Sequence, residues 1–154
     1  MKPRVFVTGI GLITAIGDTA PDHLNAFKSC RTRLGPVCHF ETEHREIHPV
    51  CEVKYNNAQL AELAALDHHP ETSRTALLGL IAAREALEMS GLTDREQSEC
   101  GLISANSVGG MDRSECFYPD FLAAPNKGKL RQVRGHECGF SSELISEQLH
   151  LGGM

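Results

Sequence analysis

Four groups of residues in this sequence have the types and spacing to do chemistry. Cys38, His39, His44, His48 and Cys51 crowd one segment, and thiolates and imidazoles so close together can hold zinc. The segment has no Cys-x-x-Cys and no His-Glu-x-x-His, and it straddles a loop and an exposed strand, so solvated loop histidines are the favoured reading. His68 with His69, and His136 with Cys138, are thinner versions of the same pattern. Each of the six cysteines, at 30, 38, 51, 100, 116 and 138, could be a nucleophile if a histidine or a helix N-terminus lowered its pKa. Only Cys138, just before Gly139, stands near a glycine elbow, and inert thiols are the default reading for all six. Gly9 and Gly11 follow an apolar run and open like a dinucleotide fingerprint, which needs glycine again at its sixth position. That position holds Thr14, and the next helix starts only near Pro21, too late to aim its N-terminal dipole at Gly9. There is no Gly-x-x-x-x-Gly-Lys-Ser/Thr either, so a tight turn out of a strand is favoured over a nucleotide cradle. The fourth group is Lys127, Lys129, Arg131 and Arg134, with no acidic residue before Glu137. It is either a positive patch for an acidic partner or a solvated loop.

The elements that must position these residues belong to a chain of 154 residues, long enough for one domain with a real core. Hydrophobic residues make up 41% and charged ones 23%, ordinary for a globular protein. The formal net charge of -5 argues against wholesale binding to nucleic acid or an anionic membrane. With no Trp and only 5% aromatic residues, stacking platforms for single strands are not expected. Cysteines without paired spacing suit reduced thiols in the cytoplasm. Lys2 and Arg4 precede an apolar run, but Thr8, Gly9 and Gly11 interrupt it, so a signal peptide is not expected. No stretch approaches the length of a membrane span.

Val5, Phe6 and Val7 show no polar alternation, as in a strand buried on both faces. Thr19, Pro21 and Asp22 mark the start of a short helix over 21–29. Residues 34–49 read as loop. Val50 to Tyr55 alternate and predict a half-exposed strand. Asn57 could cap a helix carrying Leu60, Leu63 and Leu66. The strongest element is "TALLGLIAAREALEMSGL", ending at Gly91 in the position after a helix where glycine is preferred. From Ala76 to Ala83 it is apolar all round, which predicts a buried helix. Gly79, Ala82, Ala83 and Ala86 are small enough for a neighbouring backbone to approach closely. Gly101 to Ala105 predict another buried strand, followed by Asn106, Ser107, Val108, Gly109 and Gly110. A helix over 112–124, a basic loop and a last helix capped by Ser141 or Ser142 and ended by Gly152 complete the chain. Strands alternating with helices predict an α/β fold.

Three segments together resemble the N-terminal half of β-ketoacyl–acyl-carrier-protein synthases, the condensing enzymes of the thiolase-like superfamily. "RVFVTGIGLITAIG" is similar to that family's opening V-V-x-T-G-x-G-x-x-[ST]-x-x-G, with Thr8, Gly9, Gly11, Thr14 and Gly17 in place. "SRTALLGLIAAREALEMSGL" resembles its long central helix. "CGLISANSVGGM" is similar to the strand and G-S-G-x-G-G turn that follow, although Ala105, Asn106 and Ser107 depart from the pattern. Order and spacing match over essentially the whole chain.

The resemblance implies a single partial thiolase-like domain over 1–154: a mixed sheet packed against a buried central helix, with the final strand or strands missing and a sheet edge left unpaired. It implies an acyl pocket that includes Val108, Gly109 and Gly110. It also implies docking of an acidic acyl carrier protein on Lys127, Lys129, Arg131 and Arg134, with a second basic cluster thinned to His68, His69 and Arg74. The family condenses acyl and malonyl thioesters by decarboxylative Claisen chemistry on a cysteine in a T-A-C-[ST]-[SG] motif, aided by two histidines and a lysine, and it needs no cofactor or metal. None of the six cysteine contexts here matches that motif, so no catalytic residue of that reaction is expected in this chain, and alone it is expected to be inactive. A homodimer or heterodimer in the cytoplasm is implied, in fatty acid or polyketide synthesis. The alternative is a non-catalytic partner of the chain-length-factor kind, or an orphan binding module.

Overall fold

The computed structural model describes residues 3–66, 71–126 and 129–153. Six α-helices appear in the order α1 Ala20–Lys28, α2 Asn57–Leu63, α3 Arg74–Ser90, α4 Asp94–Ser98, α5 Met111–Ala123 and α6 Cys138–Gln148, with a 3-10 helix at Leu130–His136 before α6. Their ends follow local capping chemistry. Thr19 caps α1 through its side chain, with Pro21 in the first turn. Asn56, rather than the expected Asn57, forms a reciprocal capping box with Gln59 at the start of α2. Ser73 caps α3, which stops at Gly91 in the left-handed conformation, φ 66°. The short α4 was not anticipated from the sequence; a Thr93–Glu96 capping box starts it, and it buries no residue.

The centre of the fold is α3. Leu77 and Leu80 pack with Leu60 and Ala61 of α2, with Ala64 just after it, and with Ile145 and Leu149 later in the chain, all of them buried. Gly79, Ala82 and Ala86 lie at i, i+3 and i+7, on one stripe of α3. Each receives a close neighbour: Ile145 reaches over Gly79, the backbone at Gly11 lies against the Ala82 carbonyl, and that at Gly9 lies against the Ala86 carbonyl. A Cβ on Gly9 or Gly11 would overlap those carbonyl oxygens. The small residues of α3 and the two glycines are therefore two halves of one contact.

Polar bonds from α3 fix what the contact brings together. Glu85 accepts the Leu12 N–H on Oε2 and the Ala20 N–H on Oε1, each at 2.8 Å. It thereby holds both ends of the turn between the first extended segment and α1. Met89 Sδ accepts the Ile10 N–H at 3.4 Å. Arg84 donates to the carbonyls of Ala64 at 2.8 Å and Leu63 at 3.5 Å, setting a cation on the negative end of α2.

Several expectations need correction. Among the described residues no β-strand forms; the expected mixed sheet is represented only by isolated bridges Thr14 with Gly17, Gly35 with Val50, and Gly101 with Gly153. The segments read as buried strands are instead exposed, with Val5 at 95%, Val7 at 82% and Ile103 at 100% of their full accessible area. Their apolar side chains fit a sheet interior, but among the described residues no neighbouring strand lies beside them, and the second segment has only the bridge from Gly101 to Gly153. Val50 to Tyr55 likewise makes only one bridge, through Val50. The basic loop contains the 3-10 helix. Neither Ser141 nor Ser142 caps α6: the helix starts earlier, after Glu137, and Ser141 is buried within it. That helix ends at Gln148, ahead of Gly152, and His150 takes the left-handed conformation there.

Gly11→Ala should lower the free energy of unfolding in urea by roughly 1–3 kcal/mol, the usual range for forced overpacking. Gly35→Ala, which meets nothing within 4 Å, should change it little; equal effects would contradict the contact described. Glu85→Ala strands two backbone donors and should cost roughly 1–3 kcal/mol for each that stays buried. A Glu85→Ala chain with an unchanged urea midpoint would remove Glu85 from the account.

Candidate functional site

The residues expected to do chemistry fall in three places around α3. The first is the N-terminal turn. His23 is buried, with Nδ1 2.7 Å from the Thr19 carbonyl oxygen and Nε2 2.7 Å from Thr14 Oγ1. In the tautomer with its proton on Nδ1, it donates to Thr19 and accepts from the Thr14 hydroxyl. Asp18 accepts from Lys54 Nζ at 2.6 Å and from the Tyr55 hydroxyl at 2.8 Å, and the Asp18 bond is the main cause that raises the Lys54 ammonium above its ordinary value. The hydrogen-bonding capacity of this turn is directed into the protein. Gly9 and Gly11 face α3, which leaves no cradle for a phosphate.

The second place is a cleft of ≈ 540 Å³ at the start of α3, lined in part by His39, Asn57, Arg74, Asp112 and Cys116. Arg74 donates to the carbonyls of Tyr55 at 2.8 Å and Val53 at 3.1 Å, and to Asn57 Oδ1 at 3.0 Å. Burial pulls its guanidinium below the ordinary value, opposed by the charges of Glu52 and Asp112. Asp112 accepts the backbone N–H of Arg74 at 3.1 Å and Nε of Arg113 at 3.1 Å. Expected as part of a basic docking cluster, Arg74 is turned inward and serves as a strut. His68 and His69 lie outside the described residues.

The third place is the turn after residue 105. Gly109 and Gly110 are buried, and they face the backbone of Gly135 and His136, with no room for a Cβ on either. Gly109 has φ 53°, the left-handed region that suits glycine. Its N–H donates to Asn106 Oδ1 at 2.7 Å, so Asn106, a departure from the familiar pattern, closes the turn. Gly110 N–H donates to the His136 carbonyl at 3.1 Å. Val108 is 49% exposed. The structure thus brings Val108 to the surface and the two glycines against the 3-10 helix. Across that joint, Ser114 Oγ lies 2.7 Å from His136 Nδ1.

The basic run is divided. Arg131 is paired with Glu71 at 2.6 Å, chiefly through a hydrogen bond that raises its pKa. Arg134 lies over the Phe140 ring, 5.8 Å from its centroid. Lys129 is exposed, and Lys127 lies outside the described residues. All six cysteines are free, and five of them are exposed. Among the described residues no group of three or more His, Cys, Asp or Glu is placed to hold a metal ion. In the segment that prompted the zinc reading, His39 Nε2 lies 3.0 Å from the Val53 carbonyl, and Glu52 accepts the backbone N–H groups of Cys38 at 2.7 Å and His39 at 3.3 Å.

Sequence reasoning missed Glu85, Arg84 and the Ser114–His136 pair. Glu85 and Arg84 interrupt an otherwise small and apolar helix, which was a usable signal. Ser114 and His136 are 22 positions apart and carry no local signature.

No family model matches the chain. It is 24% identical over 156 residues to the 3-oxoacyl-[acyl-carrier-protein] synthase 2 of Coxiella burnetii (strain RSA 493 / Nine Mile phase I), a match covering 99% of this chain and 37% of that protein. It is 29% identical over 116 residues to Nodulation protein E of Rhizobium sp. (strain N33), covering 71% of this chain and 27% of that protein. The 3-oxoacyl-[acyl-carrier-protein] synthase 2 of Synechocystis sp. (strain ATCC 27184 / PCC 6803 / Kazusa) is 27% identical over 112 residues, 71% of this chain and 26% of that protein. The solved structure of the ishigamide ketosynthase/chain length factor superposes with a TM-score of 0.81 at 22% identity, covering 94% of this chain and 36% of that one. The chain therefore spans 26% to 37% of the length of the curated relatives it matches. No helix of the described residues is long and apolar enough to cross a membrane. The chain is thus similar in sequence to 3-oxoacyl-[acyl-carrier-protein] synthases and shares the fold of a part of the ketosynthase/chain length factor structure.

Proposed function

We propose that residues 1–154 act as one unit, the N-terminal part of a thiolase-like condensing assembly that joins acyl and malonyl thioesters on an acyl carrier protein. The observation that carries this reading is the pair of apolar segments around Val5–Val7 and Ile103, extended and exposed beside a helix face that is already packed. Such segments suit the interior of a sheet whose remaining strands come from outside the described residues. The catalytic cysteine, histidines and lysine of the condensation would come from outside these residues as well, since no Thr-Ala-Cys motif occurs among them. In that assembly a thiolate takes the acyl group from a carrier thioester, and decarboxylation of the malonyl unit supplies the carbanion. An oxyanion hole stabilises the charge that develops. A cytoplasmic dimer in fatty acid or polyketide synthesis is the setting that fits. Val108, Gly109 and Gly110 would border the acyl chain once the sheet is complete.

The second reading is a non-catalytic partner that keeps the fold, of the chain-length-factor kind. It is supported by the fold likeness to the ketosynthase/chain length factor structure. Both readings share the carrier-docking surface. There Lys129 and Arg134 matter more than Arg131, whose charge is already met by Glu71.

The double variant Lys129→Glu, Arg134→Glu should weaken binding of an acyl carrier protein at least tenfold at low salt, measured by titration calorimetry, with a steep salt dependence for the parent chain. Arg131→Ala should have the smaller effect. Equal binding by the double variant and the parent chain would remove the docking patch from the proposal.

A further inference from the structure

We infer that Ser114 and His136 form a second reactive centre, a serine nucleophile with its base, that accepts the acyl group of an activated medium-chain ester or thioester. It stands apart from the condensation chemistry, which would use a cysteine from outside these residues. Three observations carry it. Ser114 Oγ and His136 Nδ1 are 2.7 Å apart, the hydrogen-bond reach that nucleophile and base require. His136 is held by its backbone, with its carbonyl accepting the Gly110 N–H at 3.1 Å and its main chain wedged against Gly109; the ring is therefore presented from a fixed point. Ser114 also lines a shallow, open, mainly apolar surface depression of ≈ 460 Å³ on α5, together with Glu115, Tyr118, Pro119 and Leu122.

Pro119 sits inside α5 and has no N–H for the carbonyl one turn back. From Ser114 to Leu122 is eight residues, roughly 12 Å along the axis at about 1.5 Å per residue, a length suited to an extended medium acyl chain. Tyr118 and Leu122 are exposed and would cover the chain. Ser114 is the fourth residue of α5, and its N–H donates to the Gly110 carbonyl at 3.3 Å.

The step balances without a further reactant. With the imidazole proton on Nε2, Nδ1 takes the proton of the Ser114 hydroxyl as the Oγ–C bond forms. The acyl C–O or C–S bond breaks, and the leaving alkoxide or thiolate takes that proton from His136. Water then attacks the acyl-serine, and His136 takes a proton from it and returns one to Ser114 Oγ. The products are a carboxylic acid and an alcohol or thiol.

The test uses the whole chain with two probes, diisopropyl fluorophosphate and p-nitrophenyl hexanoate, read by intact mass and peptide mapping. The expected result is one adduct on Ser114. Its rate of formation should fall at least tenfold in His136→Gln, since general-base assistance contributes roughly 10²–10⁴-fold, and be unchanged in Cys116→Ser. Ser114→Ala should abolish labelling, with circular dichroism showing that it folds; His136→Gln carries the same comparison if it does not. No adduct on a folded chain, an adduct confined to a cysteine or Tyr118, or equal labelling of His136→Gln would each overturn the inference.

Discussion

The structure depends on one close approach, the backbone of Gly9 and Gly11 lying directly on the carbonyls of Ala86 and Ala82. Side chains on either surface would hold the two backbones apart. With them absent, the first extended segment runs across α3, and Glu85 and Met89 on the same helix collect the N–H groups of Leu12, Ala20 and Ile10. Ile145 uses the third small position, Gly79, in the same way. The beginning, middle and end of the chain are thereby joined along one stripe of one helix. Dispersion and close packing carry this contact, while the polar bonds fix its register.

From that stripe the other features follow. Two arginines of α3 grip the segment before and at the end of α2: Arg74 holds the carbonyls of Val53 and Tyr55, and Arg84 holds those of Leu63 and Ala64. The N-terminus of α3 also meets Asp112 of α5, and α5 in turn is joined to the 3-10 helix through Gly110 and His136. The same glycine joint that closes the turn after residue 105 thus sets Ser114 against His136. The glycine turn and the Ser114–His136 contact are two consequences of one backbone contact.

Much of this was legible in the residues. The small positions of α3 declared a close approach, Gly91 declared its end, and Thr19 with Pro21 declared the start of α1. The opening glycines were read as a turn because Thr14 stands where a dinucleotide fingerprint needs a third glycine, and the structure seats them on α3. Strand pairing was not legible: Val5 to Val7 have the composition of a buried strand, but pairing depends on where other backbone lies, which composition does not encode. The cap of α6 was misplaced because Ser141 and Ser142 satisfy the residue preference for a cap, whereas the chain enters that helix already at Cys138. The inward turn of Arg74 and the pairing of Arg131 with Glu71 were hidden for the same reason, since a charge run in sequence says nothing about which partner each guanidinium meets.

The central claim is that α3 and its glycine contact form the stable heart of this chain, while the apolar segments at Val5 to Val7 and at Ile103 make no strand pairing among the described residues. Amide hydrogen exchange on the 154-residue chain tests it most directly. The account predicts strong protection for α3 between Leu77 and Ala86, and fast exchange at Val5 to Val7 and at Ile103, whose amides have no neighbouring strand. Protection at Val5 to Val7 equal to that of α3, in a chain shown to be monomeric, would mean that the chain pairs its own strands, and would contradict the account.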